Sequence, residues 1–443
     1  MCCGKPDFIR YGEEIQAKVG NDVAAFRRIF PEIYAGITNF CEDRVPAYTL
    51  PSPLTGNDGQ TVSSARQWMN VRRREILELF QNNIYGGELP RPDGLRFEEL
   101  SSKDDALNGT ALRREIRIHC SMNNGRTFFF DLLLYAPKCA LKTPVPAFLG
   151  LNFKGNHGVI DEPDVMKTPV RFDNGDRTGV ICDRTPEFFD ESSRGIHAHR
   201  WCIPELIKRG YAAVTACYED IFPDEFDCWE HSCVALFGDF AGFRGCHEKF
   251  SAIGAWAWGI SRMMDYLQTS PLIDSSRVAL HGHSRLGKTA LWAGALDQRF
   301  KLVISNDSGC LGAALSYRRF GENFLILLNY RPHWFVKNAR RFINRESEMP
   351  FDQHFLLSLI APRPVAVASA VDDTGADPYG EFLSAFHAQD VYKLFGSAGL
   401  PWNGMPRKEG CCTGDISYHI RQGGHDQTPV DWAHYLEIAD LYL

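Results

Sequence analysis

Short apolar segments alternate with helical patterns over most of this 443-residue chain. The alternation between the strand period of two and the helical period of 3.6 is the primary signal of secondary structure. Strands are predicted at residues 112–119, 127–135, 144–151, 211–217, 278–281, 302–305, 364–370 and 415–420. Helices are predicted at residues 22–36, 65–85, 201–209, 248–268 and 432–442, with a further helix from Lys288 onward. Because strands that alternate with helices usually pair in parallel, the pattern predicts an α/β fold, a three-layer sandwich with a mostly parallel central sheet.

Turn residues divide these elements and indicate the domain organisation. Ser63 and Ser64 can cap the helix predicted at 65–85, and two glycines end it. Residues 122–125 form a predicted hairpin loop. We expect an N-terminal helical and irregular extension over residues 1–60 and a single catalytic domain over 61–443. The irregular stretches 159–200 and 221–247 are predicted insertions over the active site, and 159–200 is a candidate lid because long loops in compact domains are usually functional.

A serine stands at one of the predicted transitions from strand to helix. The apolar run that ends at His281 is followed by Gly282, where we expect the strand to break, and then by Ser284 and Gly287. A sharp turn here strains the backbone of the serine and requires small neighbours, and it points the hydroxyl away from the sheet. Gly287 falls one position later than in the usual G-x-S-x-G motif. An ordinary turn with a capping serine is the alternative to a nucleophile.

A serine nucleophile needs a general base and an acid that orients the base. In the α/β-hydrolase order the acid and then the histidine follow the serine. His425 lies in a glycine-rich loop directly after the last predicted strand, which makes it the candidate base. The other histidines after Ser284 lack that context: His333, His354, His387, His419 and His434. Asp373 and Asp307 each follow a predicted strand; we favour Asp373, and Asp307 stays open as the acid.

Other polar and glycine-rich positions could complete a site for acyl transfer. The loop at residues 152–158, after the strand 144–151, is the expected source of an oxyanion-hole amide. Arg285 and Lys288 lie beside and one helical turn after the serine, where a cation can stabilise an oxyanion or bind an acidic group. A solvated helix face is the alternative for both cations.

Composition and charge exclude several classes of function. The net charge of −7 argues against nucleic acid or an anionic membrane as the main partner. The chain contains no run of 18 apolar residues, so no transmembrane span is predicted. The N-terminal residues lack the apolar segment of a secretory signal. We therefore expect a cytoplasmic protein, or a secreted one if a signal has been removed. The 14 cysteines are scattered without a C-x-x-C motif, which favours reduced thiols, although a disulfide that involves Cys310 stays open.

Several longer motifs resemble the glucuronoyl esterases of carbohydrate esterase family 15, especially the bacterial ones. They are AWAWGISRMMDYL, HGHSRLGKTALWAGALDQRF, SNDSGCLGAALSYRRFGE, PHWF, DQHFLLSLIAPRPV and GGHD. The resemblance extends from Trp68 to the C-terminus and is densest between Trp256 and Asp426. It implies an α/β-hydrolase that cleaves esters of 4-O-methyl-D-glucuronic acid in lignin–xylan cross-links, without a metal or an organic cofactor.

The resemblance also assigns roles to individual residues. Ser284 would be the nucleophile and His425 the base, and Arg285 would stabilise the oxyanion. Lys288 and Glu322 would bind hydroxyls of the glucuronoyl ring.

The chain departs from the family pattern at two positions. Asp307 stands where the family usually has glutamate, and Gly375 stands where the family often has tryptophan. A sugar-facing aromatic wall would then be absent, or supplied by another residue such as Trp334.

These observations predict a serine carboxylesterase that acts on a small-molecule or oligosaccharide uronate ester through an acyl-enzyme, in an oligomeric state that the sequence leaves open. A second carbohydrate esterase activity, acetylxylan deacetylation, is the nearest alternative because of Gly375. A carbohydrate-binding protein without activity and a serine peptidase are more distant alternatives. The intact serine, acid and histidine argue against the first, and the cations at Arg285 and Lys288 argue against the second.

Overall fold

The computed structural model describes residues 7–167, 191–226, 228–238, 247–400, 404–406 and 409–443. The central part of the predicted lid at 159–200 and parts of the insertion at 221–247 lie outside these residues. The irregular covering of the active site therefore stays a prediction.

The strands follow the predicted order, with two additions. They are β1 Gly94–Asp105, β2 Ala111–Ser121, β3 Thr127–Pro137, β4 Val145–Asn152, β5 Ala212–Cys217, β6 Ile273–His283, β7 Leu302–Asn306, β8 Val365–Ala370, β9 Cys411–Cys412 and β10 Ile416–Arg421. The longer helices are α1 Asp7–Val19, α2 Val23–Ile37, α3 Arg73–Phe80, α4 Ile203–Arg209, α5 Ala252–Leu267, α6 Arg285–Leu296, α7 Phe324–Tyr330, α8 Pro378–Lys393 and α9 Pro429–Tyr442. This alternation of strands and helices confirms the predicted α/β class.

The chain forms two compact units. One, here called the serine unit, comprises Glu88–Phe243, Ala252–Ile304 and Asp426–Leu443. The other, the histidine unit, comprises Met1–Gly87, Arg244–Ser251 and Ser305–His425. The predicted extension at 1–60 falls in the histidine unit, and its boundary at residue 60 stays a prediction.

The sheet of the serine unit has the strand order β1-β2-β3-β5-β4-β6. The first three pairings are antiparallel, whereas β4 pairs in parallel with both β5 and β6. Every residue of β5 is buried, as expected for a strand that is covered on both faces. The core of this unit also includes α5, in which Trp256 and Trp258 are 0% and 4% exposed. Antiparallel strands on one side and parallel strands on the other make the sheet mixed.

In the histidine unit β8 pairs in parallel with β10, and β9 pairs antiparallel with β10. The register of β8 and β10 runs from Val365–Ile416 to Ala370–Arg421, so both strands end at the same level. The amide of Asp307, just after β7, donates to the carbonyl of Ala368 at 2.8 Å. The loops after β7, β8 and β10 in this unit therefore leave the same edge of the strands.

The helix predicted at 65–85 is continuous but alternates between α and π geometry. It runs through Ala65–Gln67, Trp68–Arg72, Arg73–Phe80 and Gln81–Tyr85. The Ser64 side chain accepts a hydrogen bond from the amide of Gln67, which confirms the predicted cap. The helix ends at Gly86, whose φ of 87° no larger residue adopts without strain.

None of the helices in the described part of the chain has the length and hydrophobicity that a transmembrane span requires. The ten cysteines in that part are thiols rather than half-cystines, and Cys310 is one of these. A disulfide that involves Cys310 is therefore not formed.

Candidate active site

Ser284 lies at the corner between β6 and α6, in a strained backbone conformation. Its φ of 59° and ψ of −129° are uncommon for any residue with a side chain. A Cβ atom on Gly282 would lie 2.1 Å from the carbonyl oxygen of Leu286, so the turn is tight enough to exclude every residue but glycine there. The predicted break at Gly282 is wrong, because β6 continues through this glycine and ends at His283. The elbow itself is confirmed.

Arg285 opens α6 and is held by an acidic side chain that the sequence analysis missed. Its Nη1 donates a short hydrogen bond to Oδ2 of Asp224, whose side chain is fully buried. The hydroxyl of Tyr218 donates to the same oxygen at 3.0 Å. The Arg285 guanidinium also lies 5.7 Å from the centre of the Phe153 ring. Asp224 and Phe153 therefore fix the guanidinium next to the elbow, which argues against a solvated helix face.

The loop predicted to supply an oxyanion-hole amide packs beside the elbow. Phe153 follows β4, and its ring centre lies 6.2 Å from that of His283, the neighbour of Ser284. Inside the loop, the Asn152 amide group donates to Asn156 Oδ1 at 3.0 Å. This contact joins the two ends of the loop, and the oxyanion-hole amide stays a prediction.

Two arginines of the serine unit lie against the Phe153 ring, and each is paired with an aspartate, Arg285 with Asp224 and Arg200 with Asp426. Arg200 lies 5.9 Å from the Phe153 ring, on which the Arg285 guanidinium also rests. The pKa of His197 is lowered to about 3, mainly by burial and then by the positive charges of Arg200 and Lys154.

Lys288 lies on α6, one helical turn after Ser284, and is only 3% exposed. Burial of a lysine is uncommon and argues against the alternative of a solvated helix face. Its predicted contact with a substrate hydroxyl stays a prediction.

The structure brings three predicted residues of the histidine unit together. Nδ1 of His425 lies 2.6 Å from Oδ2 of Asp373, which is the distance of a charge-assisted hydrogen bond. One carboxylate oxygen of Asp307 lies within 4.8 Å of the same group of atoms. Asp373 therefore makes the hydrogen bond that an orienting acid makes, while the side chain of Asp307 is fully buried.

Arg421, at the end of β10, is a second residue that the sequence analysis missed. Its Nη2 lies 3.2 Å from Oδ2 of Asp307, and its side chain is 3% exposed. The same guanidinium donates to the carbonyls of Gln422 and Gly424 at 3.1 Å each. Arg421 therefore balances one of two adjacent carboxylates and shapes the loop that carries His425. Its position two residues before the GGHD motif was the available signal.

Glu322 lies in the same unit, close to Asp373. Its amide donates to the carbonyl of Gly375 at 2.9 Å, two residues after Asp373. The pKa of the Tyr34 hydroxyl is raised, first by burial and then by the negative charges of Glu322 and Asp373. Tyr34 belongs to α2, so the N-terminal segment reaches the surroundings of the acid. The sequence analysis did not identify Tyr34.

Trp334 is only 5% exposed, and the Arg331 guanidinium lies 5.8 Å from its ring. Its predicted role as a sugar-facing wall stays a prediction, supported by the sequence alone.

Among the described residues, the one group of acidic and histidine side chains with the spacing of metal ligands is Asp307, Asp373 and His425. The 2.6 Å between His425 and Asp373 is a hydrogen-bond distance, so these side chains already act as partners of one another. The donor set fits a catalytic acid and base.

Comparison with known proteins identifies the family. A family model described as glucuronyl esterase, fungi, matches residues 232–396. A carbohydrate esterase from an unknown prokaryotic organism is 41% identical over 420 residues, which cover 93% of this chain and 94% of that protein. The chain belongs to carbohydrate esterase family 15.

Solved structures of the same family agree with this assignment. A glucuronoyl esterase from Solibacter usitatus is 40% identical, with a TM-score of 0.82 over 90% of this chain and 99% of its own. A promiscuous family 15 esterase from a marine bacterial metagenome is also 40% identical, with a TM-score of 0.80 over 92% and 100% of the two chains. This family 15 member is therefore a carboxylic ester hydrolase with the predicted α/β-hydrolase fold.

Proposed function

We propose that this family 15 member is a serine carboxylesterase that hydrolyses esters of 4-O-methyl-D-glucuronic acid, such as those between glucuronoxylan and lignin alcohols. The observation that carries the proposal is the 2.6 Å hydrogen bond between His425 and Asp373 in the loops after β10 and β8. The strained elbow at Ser284 and the relatives named 4-O-methyl-glucuronoyl methylesterase support it. One such relative, from Wolfiporia cocos, is 30% identical over 80% of this chain.

In the proposed reaction Ser284 Oγ attacks the carbonyl carbon of the ester, and Nε2 of His425 accepts the hydroxyl proton. Asp373 holds Nδ1–H and stabilises the imidazolium. Backbone amides of the 152–158 loop and Arg285 stabilise the oxyanion of the tetrahedral intermediate. The bond from this carbon to the alcohol oxygen then breaks, and His425 returns its proton to the departing alcohol.

The same side chains then catalyse hydrolysis of the acyl-enzyme. Water loses a proton to His425 and attacks the acyl carbon, the bond to Ser284 Oγ breaks, and the serine regains a proton. The products are the free uronic acid and the alcohol. Lys288 and Glu322 are the proposed contacts of the ring hydroxyls. Lys288 lies one helical turn after Ser284, and the amide of Glu322 is hydrogen-bonded to Gly375, two residues after Asp373.

The test is hydrolysis of benzyl D-glucuronate beside a neutral sugar acetate, by the wild type and by Ser284→Ala. We expect cleavage of the uronate ester and a loss of at least about 10³-fold in the variant, since the nucleophile acts in every productive turnover. Ser276→Ala, at an exposed position in the first half of β6, is the matched control. Full activity of Ser284→Ala would contradict the mechanism.

Acetylxylan deacetylation is a second candidate, favoured by one observation. Among the described residues, a Cβ atom on Gly375 would meet only Asp373 Oδ1, at 3.8 Å, so the space beside this glycine is open and the glycine itself supplies no ring. Release of acetate without cleavage of the uronate ester would support this candidate and retain the same serine mechanism.

A further inference from the structure

Glu381 carries a buried carboxyl group that the proposed reaction does not use. The residue lies in the first turn of α8 and is 0% exposed. Glutamate is rarely buried in proteins unless its oxygens accept hydrogen bonds, because the removal of a carboxyl group from water costs free energy. The hydrogen bonds that compensate for this burial show which parts of the histidine unit the side chain holds.

One carboxyl oxygen of Glu381 binds the turn that contains Asp307. Oε1 accepts a hydrogen bond from the amide of Gly309 at 2.9 Å and lies 3.4 Å from the hydroxyl oxygen of Ser308. Asp307 and Gly309 have φ values of 43° and 58°, so the turn places two residues in the left-handed region. This conformation costs free energy for aspartate and persists only where neighbouring groups hold it. The hydrogen bond from Gly309 to Glu381 is one contact that holds it.

The other carboxyl oxygen binds the strand that leads to Asp373. Oε2 accepts a hydrogen bond from the hydroxyl of Ser369 at 2.6 Å. Ser369 is a fully buried residue of β8, four positions before Asp373. The two segments that Glu381 binds also contact each other, since a Cβ atom on Gly309 would lie 3.0 Å from Cα of Ala376. A single side chain therefore joins the turn after β7 to the strand before the loop of the acid.

The strand that leads to His425 lies close to the same carboxyl group. The pKa of the Tyr418 hydroxyl, in β10, is raised well above its ordinary value by burial and then by the negative charge of Glu381. This hydroxyl also donates to the carbonyl of Pro378 at 3.0 Å, at the start of α8. The segments that carry the candidate base and the two candidate acids therefore converge on one side chain.

We propose that Glu381 is a positioning residue, which holds Asp373 in place relative to His425 by fixing the strand ends that lead to them. Because the side chain is fully buried, it acts without contact with the substrate. Catalytic groups must keep their geometry to within about 0.5 Å, so a loop that is released from Glu381 would weaken the 2.6 Å hydrogen bond of the acid to the base. The role rests on the proposed function, because it assumes that Asp373 orients His425.

The test measures kcat and KM of Glu381→Met and Glu381→Gln on a uronate ester, in the full-length protein. Methionine keeps the length of the side chain but cannot accept the hydrogen bond from Gly309. We expect kcat to fall about ten-fold or more, with little change in KM, because a small displacement of a catalytic group is costly. Glutamine can accept from Gly309 and donate to Ser369, whose hydroxyl can act as acceptor instead. Glu381→Gln should therefore retain about half of kcat or more.

A double variant distinguishes positioning from a general loss of stability. If Glu381 acts through Asp373, then Glu381→Met should lower kcat by less than about three-fold in a chain that already carries Asp373→Asn. Two independent effects would multiply instead, and that result would overturn the positioning role. A loss that appears in KM rather than in kcat would show a role in substrate binding and would also overturn it.

Two further variants complete the experiment. Val391→Ala removes buried methyl groups from the same helix without the loss of a hydrogen bond, so it should lower stability against urea and leave kcat unchanged. Ser369→Ala replaces Glu381→Met if the latter does not fold, and we expect it to lower kcat about three-fold or more, because it removes one of the same hydrogen bonds. Full kcat in the variant that folds would overturn the positioning role. A wild type that does not cleave the uronate ester, or that Asp373→Asn leaves unchanged, would overturn the proposed function instead.

Discussion

At the scale of single residues, the two aspartates near His425 differ in what binds them. Asp373 makes the 2.6 Å hydrogen bond to the imidazole, whereas Asp307 is paired with Arg421. We expect Asp373→Asn to lower kcat/KM by about 10²-fold or more, because an amide no longer stabilises the imidazolium. For Asp307→Asn we expect a loss below about ten-fold. Steady-state kinetics on a uronate ester measure both, and a larger loss at Asp307 would reverse the assignment.

Arg285 carries a second prediction at this scale. Removal of one oxyanion donor typically costs about 10²–10³ in kcat, so Arg285→Ala should lose that much with a smaller change in KM. Asp224→Asn keeps the arginine but loosens its position, and we expect an intermediate loss in kcat. Near-normal turnover of Arg285→Ala would remove the guanidinium from the transition state.

The site residues that could be predicted from the sequence are those with a local signal. Ser284 and His425 stand in glycine-rich turns at the ends of apolar strands, and such turns can be read from neighbouring residues. The partners Asp224, Arg421 and Tyr34 were missed because their importance depends on segments far away in the chain. The choice between Asp373 and Asp307 needed a distance that spacing along the chain does not provide.

At the scale of elements, each of the eight predicted strands is present, and the strands with apolar residues on both faces, such as β4, β5 and β8, gave the clearest signal. β1 was missed because its residues are all half-buried or exposed and include few β-formers. Only its antiparallel pairing with β2, with a bulge between Glu99 and Ser101, makes it a strand. α8 was missed because its buried residues surround most of the helix and so give no apolar stripe.

The elbow between β6 and α6 leads to a prediction about an element. In Gly282→Ala the new methyl group would lie 2.1 Å from Leu286 O, and backbone atoms cannot move away cheaply. We expect a destabilisation of about 3 kcal/mol and a loss of activity, since relief of the clash displaces Ser284. Urea unfolding followed by circular dichroism measures the destabilisation. Gly404→Ala, where no atom of the described residues lies within 4 Å of the new carbon, is the control and should be neutral.

At the scale of the whole molecule, the histidine unit combines residues 1–87 with residues 305–425. The sequence suggested an N-terminal extension because residues 1–60 lack the strand and helix alternation of the rest. The extension also contacts residues 305–425, for example where Asn39 pairs with Gly321. A single sequence gives no signal for such a contact. Contacts of this kind depend on backbone groups, which every residue carries.

Buried histidines determine how the stability of the whole protein should respond to acid. His281 is 3% exposed and lies between Trp201 and Trp432, with ring centres 4.8 and 4.9 Å away. Neither of its ring nitrogens has a hydrogen-bond partner among the described residues. Burial lowers its pKa to about 3, and the pKa of His354 is lowered to the same value, mainly by burial. The unfolded chain therefore binds more protons than the folded one between pH 6.5 and 3, and stability falls as the pH falls through that range.

Each such histidine should contribute a slope of about 1.4 kcal/mol per pH unit in the free energy of unfolding. Between pH 6.5 and 5 this is a loss of about 2 kcal/mol for His281 alone. His281→Leu should remove its share of the slope and be no less stable than the wild type at pH 7, because an imidazole without hydrogen bonds is replaced by an apolar side chain. Urea unfolding at pH 5, 6 and 7 measures the slope, with the surface variant His231→Gln as the control. An unchanged slope in His281→Leu would mean that this imidazole is already protonated in the folded state, and its aromatic surroundings would then stabilise a cation.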